Sequence, residues 1–293
     1  MTICADLTGN IGNNLWQYSV TRTVAEHSGF EFGFNRHPSN DYFHGKEQMD
    51  FMEIDYGKEH DAPWCRDLSN PPPGINKIWC EPREYRNTDG HEYTYFPYTP
   101  EIFNVQDNTK LIIDCCQNFK YIEERKEDIR NWFKIKPECA DKFAQTIHFY
   151  DGLELDENVC IINVRGGEYV GVKDFNLPVT YWNNAIKQML SRNRKMKFIV
   201  VTEDIGYAKS ILPYPVVHFG ISIDYYMVNQ AKNLIISNSS FAQFPTWLNP
   251  HNPFVIAPLY WGRYNVSTGY WSACEMNRPD WNFMDRGGNL HKV

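Results

Sequence analysis

From residue 155 onward, short apolar runs alternate with stretches of helical spacing. The runs are residues 159–164, 197–202, 216–219, 234–236 and 254–257. Between them, residues 178–192, 205–212 and 223–231 carry apolar and polar residues at helical intervals, with Pro178 near one helix start. Runs this short and this apolar are strands covered on both faces. Strands that alternate with helices demand a parallel sheet with crossover helices, so the chain is α/β. Ligands of such sheets lie beyond the C-terminal ends of the strands. Those ends carry Asn163-Val-Arg-Gly-Gly-Glu168, Thr202-Glu-Asp204, His218-Phe-Gly220, Ser237-Asn-Ser-Ser240 and Pro258.

The first half is less regular. Residues 2–34 read as strand, turn, helix, strand; residues 111–114 as a strand; residues 123–133 as a helix. Residues 35–110 are rich in Asp, Asn, Pro and Tyr and include Pro71-Pro-Pro-Gly74, which predicts long loops with a few short elements. The change of rhythm divides the chain into domains 1–155 and 156–293. A net charge of −7 without a Lys/Arg run excludes general nucleic-acid binding, so an anionic ligand needs a local cluster of donors. The eight cysteines, Cys4, Cys65, Cys80, Cys115, Cys116, Cys139, Cys160 and Cys274, form no Cys-x-x-Cys. With no signal-peptide pattern at the start and no apolar run of about 18 residues, the expectation is a cytoplasmic protein with reduced thiols and no membrane span.

Three constellations carry chemistry. The strand 234–236 breaks into Ser237, Asn238, Ser239 and Ser240 before a helical stretch. Hydroxyls and free amides at a helix start hold phosphate, and equally serve as an ordinary N-cap. Arg165 follows a buried strand and precedes Gly166 and Gly167. A guanidinium there can grip a phosphate through two bonds, or can stand on a surface turn. Gly9-Asn-Ile-Gly-Asn-Asn-Leu-Trp-Gln-Tyr18 follows a strand and opens a helix, without the full dinucleotide spacing. Asp-x-Asp, His-Glu-x-x-His, the Walker loop and Gly-x-Ser-x-Gly are absent from the sequence, and no metal site is expected.

In order along the chain, these pieces resemble the α-1,2-fucosyltransferase family, glycosyltransferase family 11. Residues 9–18 are similar to its G-x-L-G-N-Q-M-F-Q-Y, and Cys115-Cys-Gln-Asn-Phe-Lys-Tyr121 to its G-Y-x-Q-S-x-x-Y. Asn163-Val-Arg-Gly-Gly-Glu-Tyr169 looks like its H-x-R-R-G-D-Y, and Thr202-Glu-Asp204 like its S-D-D. Residues 224–244 resemble its D-x-x-x-M block and I-I-S-N-S-S-F-S-W-W, and Val255-Ile-Ala-Pro-Leu-Tyr-Trp261 its V-I-x-P-x-x-W.

The resemblance implies a GT-B fold, two Rossmann-like domains facing a cleft. It implies a GDP-fucose donor, a glycan hydroxyl as acceptor, no cofactor, no metal and inversion at the sugar carbon. The carried-over donor contacts are Asn163, Arg165, Asp224, Ser239, Ser240 and Phe241, with Asp224 beside the guanine unless it only caps its helix. Arg165 and Asn13 carry over as catalytic residues, and Glu168 is the candidate base. The signature departs from the family at Asn163 for His, Gly166 for the second Arg and Glu168 for Asp; Gln243 and Phe244 replace the tryptophans. If Gly166 marks a lost charge, Gly166→Arg tightens GDP binding, unless the glycine is needed at positive φ. A homologue that binds glycan or nucleotide without turnover, and a transferase of another GDP-sugar, are the competing readings.

Overall fold

The computed structural model describes residues 1–34, 48–58, 74–88, 90–262 and 275–292. Cys65, Cys274 and the prolines of residues 71–73 lie outside them, as do residues 35–47 and 59–73 of the stretch expected to be loops. The chain forms an α/β structure of two compact units. One comprises Met1–Arg86, Glu92–Ile135 and Ala273–Met276; the other comprises Asn87–His91, Lys136–Ser272 and Asn277–Val293.

In the first unit β1 (Thr2–Ala5) leads into α1 (Ile11–His27) and then β2 (Glu31–Phe34). Two further strands, β3 (Lys77–Cys80) and β6 (Thr109–Ile112), complete a parallel sheet in the order β2-β1-β6-β3. Helix α1 is buried on nearly every side, including Asn14, Gln17, Ser19, Thr21 and Thr23. A helix with so little outward face belongs inside a layer rather than on it. Tyr18 stacks on Phe34 at 5.0 Å between ring centroids and meets Phe133 at the same distance. The helix expected at 123–133 is a short 3₁₀ turn, Glu123–Arg125, followed by α2 (Lys126–Trp132). Three strands lie inside the expected loop stretch: β3, β4 (Glu84–Thr88) and β5 (His91–Tyr95), the last two pairing with each other. Their largely exposed or half-exposed residues lack the apolar signal that marks buried strands.

The chain passes into the second unit at Ile135–Lys136, ahead of the expected division at 155–156. The cause is α3 (Pro137–Phe149), whose apolar stripe is only Phe143 and Ile147 and which the sequence reading did not foresee. Phe143 meets Tyr226 of α6 (Ile221–Gln230) at 5.7 Å, and Tyr150 meets Phe219 at 5.7 Å. This packing ties α3 to the second sheet's layer.

That layer follows the expected rhythm: β7 (Val159–Asn163), α4 (Val179–Arg192), β8 (Lys197–Val201), α5 (Ile205–Ile211), β9 (Val216–Val217), α6, β10 (Asn233–Ile235), α7 (Ser240–Leu248) and β11 (Phe254–Pro258). Two strands outside that expectation, β12 (Asn282–Met284) and β13 (Leu290–His291), extend the sheet to the order β13-β12-β11-β10-β7-β8-β9. All pairs are parallel except β12 with β13. The core beneath it joins Tyr181, Trp182, Ala185, Ile186 and Met189 of α4 to Ile162, Val200, Ile235 and Ile256 of the strands. Tyr181 also donates its hydroxyl to the Ile236 carbonyl at 2.7 Å, which pins the exit of β10 just before the serine cluster. Among the described residues no helix is long and apolar enough to cross a membrane.

Candidate functional site

The C-terminal edge of the second sheet gathers the expected residues from adjacent strands. Strand β10 delivers Ser237–Ser240, its neighbour β7 delivers Asn163 and Arg165, β8 delivers Glu203 and Asp204, and β9 delivers His218. Asn163 is buried and braces the edge: its amide donates to the Val201 carbonyl at 3.5 Å and its Oδ1 accepts from Ser237 at 3.0 Å. Asn238 is likewise buried and donates to the carbonyls of Phe175, at 3.0 Å, and Trp261. The polar cluster thus divides into two residues that hold the loop and two, Ser239 and Ser240, that start α7. Ser239 is the N-cap, in extended conformation, yet its hydroxyl makes no capping bond. Its carbonyl accepts from the Ala242 and Gln243 amides, each at 3.0 Å, and the N-terminal end of a helix favours an anion. Phe241 stands one residue into α7, edge-on to Tyr225 at 6.5 Å.

Arg165 is mostly buried and sits between two exposed carboxylates, Glu168 and Glu203, hydrogen-bonding both, with its guanidinium 5.2 Å from the centre of the Tyr169 ring. Exposed ion pairs are worth only about 0–1 kcal/mol, so the two carboxylates can be exchanged for a stronger bidentate anion. Burial works to raise the Glu168 pKa, but its backbone hydrogen bond and the Arg165 pair outweigh that and hold it below the ordinary carboxylate range. Glu168 is therefore an anion placed to accept a proton, and a weak base.

Gly166 is not a vacant arginine position. Its φ is −107°, so the left-handed region does not explain it; Gly167, at φ +58°, is the residue that needs that freedom. A Cβ on Gly166 would stand 2.3 Å from Asp204 Cβ and 2.8 Å from Asp204 Oδ2. Asp204 is fixed there because Oδ2 accepts from the Gly167 amide at 3.0 Å while Oδ1 caps α5 by accepting from the Tyr207 amide at 3.0 Å. These two backbone bonds lower its pKa. The expectation that arginine at 166 would simply restore a phosphate contact is overturned by this packing.

Asp224, in the first turn of α6, is buried with both oxygens engaged: Oδ1 accepts from the Phe219 amide at 3.0 Å and Oδ2 lies 2.6 Å from His218 Nδ1. Part of its role is thus the local capping weighed against a ligand contact. Burial raises its pKa against the lowering effect of His218, and the Glu203 charge raises it further.

In the first unit the Gly9–Tyr18 motif is largely spent on its own turn. Gly9 has φ +77°, and Asn14 Nδ2 donates to the Gly9 and Asn10 carbonyls, each at 2.8 Å. Gln17 accepts from the Thr8 amide at 2.7 Å and donates to the Thr8 hydroxyl at 2.8 Å. Three motif residues bond to distant segments: Asn13 Oδ1 accepts from Gln117 Nε2 at 3.0 Å, the Ile11 amide donates to Gln48 Oε1 at 2.8 Å and the Tyr18 hydroxyl donates to the Asp55 carbonyl at 2.6 Å. Gln117 in turn rides on a loop that Glu81 fixes. The buried Glu81 carboxylate accepts from the consecutive amides of Asp114 at 2.9 Å, Cys115 at 2.6 Å and Cys116 at 2.6 Å. At the same edge Lys110 Nζ lies 2.8 Å from Asp6 Oδ2, with side chains 1% and 7% exposed. Sequence reading missed Glu81, Asp6 and Lys110, and named Glu203 and His218 only as parts of strand ends, without a role for either. A charge inside or just after an apolar strand was the available signal for Asp6, Lys110 and Glu203. Among the described residues no three His, Cys, Asp or Glu side chains group as ligands of one metal ion.

No protein-family model matches the chain. Over 287 residues it is 24% identical to an α-1,2-colitosyltransferase of Escherichia coli, covering 88% of this chain and 92% of that protein. By sequence the chain is a distant relative of that glycosyltransferase. It is also 22% identical over 188 residues to the O-antigen biosynthesis glycosyltransferase WbnK of Escherichia coli, a match that spans 56% of this chain and 62% of the relative's length. Among solved structures it is similar to the fucosyltransferase NodZ from Bradyrhizobium, at 13% identity and a TM-score of 0.49 over 85% of this chain and 93% of that one. It is similar also to POFUT1 in complex with GDP, at 11% identity and a TM-score of 0.45 over 85% and 94%.

Proposed function

We propose that the protein is an inverting, metal-independent glycosyltransferase that moves fucose from GDP-fucose to a glycan hydroxyl. The observation that carries this is the convergence, on one edge of a parallel sheet, of Arg165 and the serine-rich start of α7, with distant sequence relationship to a glycosyltransferase across most of the chain. Arg165 and the amides and hydroxyls at Ser239, Ser240 and Phe241 bind the diphosphate, with Asn163 and Asp224 bracing the loops around it. The second unit, expected as 156–293, is the donor side, and the first, expected as 1–155, holds the acceptor around Asn13 and Gln117.

Transfer of a glycosyl group to oxygen needs three things here. The acceptor oxygen must approach the anomeric carbon from the face opposite GDP. Charge growing on the departing diphosphate must be met by fixed donors, and loss of one such donor typically costs about 10²–10³ in rate. The hydroxyl proton must be taken up, and Glu168 is the carboxylate beside Arg165 that accepts it. Entry of the donor breaks the Arg165–Glu168 pair, which frees that carboxylate for the purpose. Free thiols at Cys4, Cys80, Cys115, Cys116, Cys139 and Cys160 and a nucleotide-sugar donor suit a cytoplasmic setting.

A screen of nucleotide sugars for hydrolysis and transfer, with and without EDTA, tests the reading. Turnover of GDP-fucose that survives EDTA is expected; activity that vanishes in EDTA and returns with Mn²⁺ or Mg²⁺ overturns metal independence. The same screen carries the second reading, a different GDP-linked deoxysugar, which the longer match to a colitosyltransferase favours. Binding of GDP without turnover of any donor selects a non-catalytic homologue.

A further inference from the structure

We infer that Glu275 and Lys120, beside the Tyr98 ring, bind a neutral acceptor sugar through two adjacent hydroxyls. The inference rests on the glycosyltransferase reading above and names the chemistry of the acceptor subsite in the first unit.

Glu275 lies in the short segment Ala273–Met276, which belongs to the first unit although its neighbours in sequence belong to the second. Three donors from that unit meet its carboxylate. Tyr95 donates its hydroxyl to Oε1 at 3.0 Å, Lys120 Nζ donates to Oε2 at 2.8 Å, and Asn118 Nδ2 reaches Oε2 at 3.4 Å. The Lys120 bond, then those from Tyr95 and Asn118, outweigh burial and hold the carboxyl below its ordinary range. Yet the pair stays open, with side chains 47% and 61% exposed. Exposed ion pairs stabilise a fold little. Others in this unit, Lys58 with Glu31 and Lys134 with Glu53, stand 3.6 and 3.7 Å apart without a hydroxyl or amide donor on the carboxylate. The Glu275 pair is therefore oriented where those are not.

Capacity remains on both partners. A carboxylate oxygen accepts two bonds, and among the described residues Tyr95 is the donor on Oε1; an ammonium carries three N–H groups, and Lys120 spends one on Glu275. An acceptor and donors side by side match two neighbouring sugar hydroxyls, one donating and one accepting. The half-buried Tyr98 ring supplies the apolar surface for the C–H face of the sugar. Lys120 Nζ stands 5.7 Å from its centre, and Tyr121 backs it at 4.8 Å between centroids. The arrangement is preorganised: Asn118 Oδ1 accepts the Lys120 amide at 3.0 Å, and the Tyr121 hydroxyl accepts the Thr99 amide at 2.8 Å. Asn118 also follows directly on Gln117, the partner of Asn13, so the cluster continues the region assigned to the acceptor.

Charge sets the preference. Glu275 neutralises Lys120, so an uncharged sugar is accepted and a uronate meets an unscreened carboxylate. The test is saturation-transfer NMR on the full chain, with and without GDP, using methyl β-galactoside, methyl β-glucoside and the uronate of each; calorimetry follows GDP and urea unfolding follows stability. The parent should bind a neutral glycoside more tightly than its uronate. Glu275→Ala should weaken the neutral glycoside about ten- to a hundredfold, the worth of hydrogen bonds to a charged group, with GDP affinity unchanged. Glu275→Gln keeps an acceptor for Tyr95 and Lys120 but releases the Lys120 charge, so it should bind the uronate more tightly than the parent does. Tyr98→Ala should weaken neutral and charged glycosides alike. Glu275 variants that lose stability but bind glycosides as the parent does would make the cluster a tether and overturn the inference, as would a parent that binds none of the four probes. A parent that binds a neutral glycoside but no GDP would keep this subsite and sink the donor reading instead.

Discussion

Adding a single methyl group at Gly166 separates the two accounts of the altered signature. The new Cβ would fall 2.3 Å from Asp204 Cβ, far inside the roughly 3.5–4.0 Å optimum for carbon contacts. Asp204 is tied to the Gly167 and Tyr207 amides, so it cannot yield without releasing one of them. If the 166–168 turn moves instead, it carries Arg165's neighbour away from the edge. Overpacking of this kind costs about 1–3 kcal/mol, and loss of the Asp204 cap on α5 adds up to about 2 kcal/mol. Gly166→Ala should therefore lower the urea midpoint without a change in slope, and weaken GDP binding by calorimetry. Gly166→Arg should bind GDP more weakly than the parent, not more tightly. Asp204→Gly removes the blocking Cβ, so the double variant should lose much less from Gly166→Ala than the parent does, with a coupling above about 0.5 kcal/mol. A Gly166→Ala protein of parental stability and GDP affinity, or a Gly166→Arg protein with tighter GDP, would refute the steric argument.

Arg165→Ala should reduce GDP affinity about ten- to a hundredfold, the worth of charge-assisted hydrogen bonds of about 1.5–3 kcal/mol, and leave guanosine binding untouched; calorimetry with both ligands checks it. Glu81→Gln replaces a carboxylate that accepts three amides with a group that presents donors to one of them. It should destabilise the protein by about 1–3 kcal/mol and raise the acceptor KM through Gln117 and Asn13, while GDP affinity stays at the parental value. Asp204 has its folded pKa depressed by its two amide bonds, so its contribution is present above its unfolded value of about 4 and is lost as pH falls through the folded one. Acid unfolding should therefore flatten in Asp204→Asn relative to the parent between about pH 5 and 2.

The alternation after residue 155 determined the second sheet by itself, because a strand buried on both faces must be apolar throughout and its run is visible without any partner. Strands β7, β8, β10 and β11 and helices α4 to α6 all fall within a few residues of their expected places. The same reasoning places Arg165 and Ser239 at one edge, since strand ends in a parallel sheet share a side. The half-exposed strands β3, β4 and β5 and the thinly striped α3 were hidden, because their burial depends on neighbours far away in sequence rather than on a local pattern. The sequence also could not say which polar residues of a motif are spent on holding it. Asn14, Gln17, Asn163 and Asn238 read as equals of Asn13 and Ser239 until their partners were in place. Only tertiary contact showed Asp204 filling the space beside Gly166, Glu81 gathering three amides from a loop more than thirty residues away, and Asp224 turned onto His218. A side chain's chemistry is written in the sequence, but its unspent hydrogen-bonding capacity is what remains after every neighbour has been counted, and folding alone assembles those neighbours.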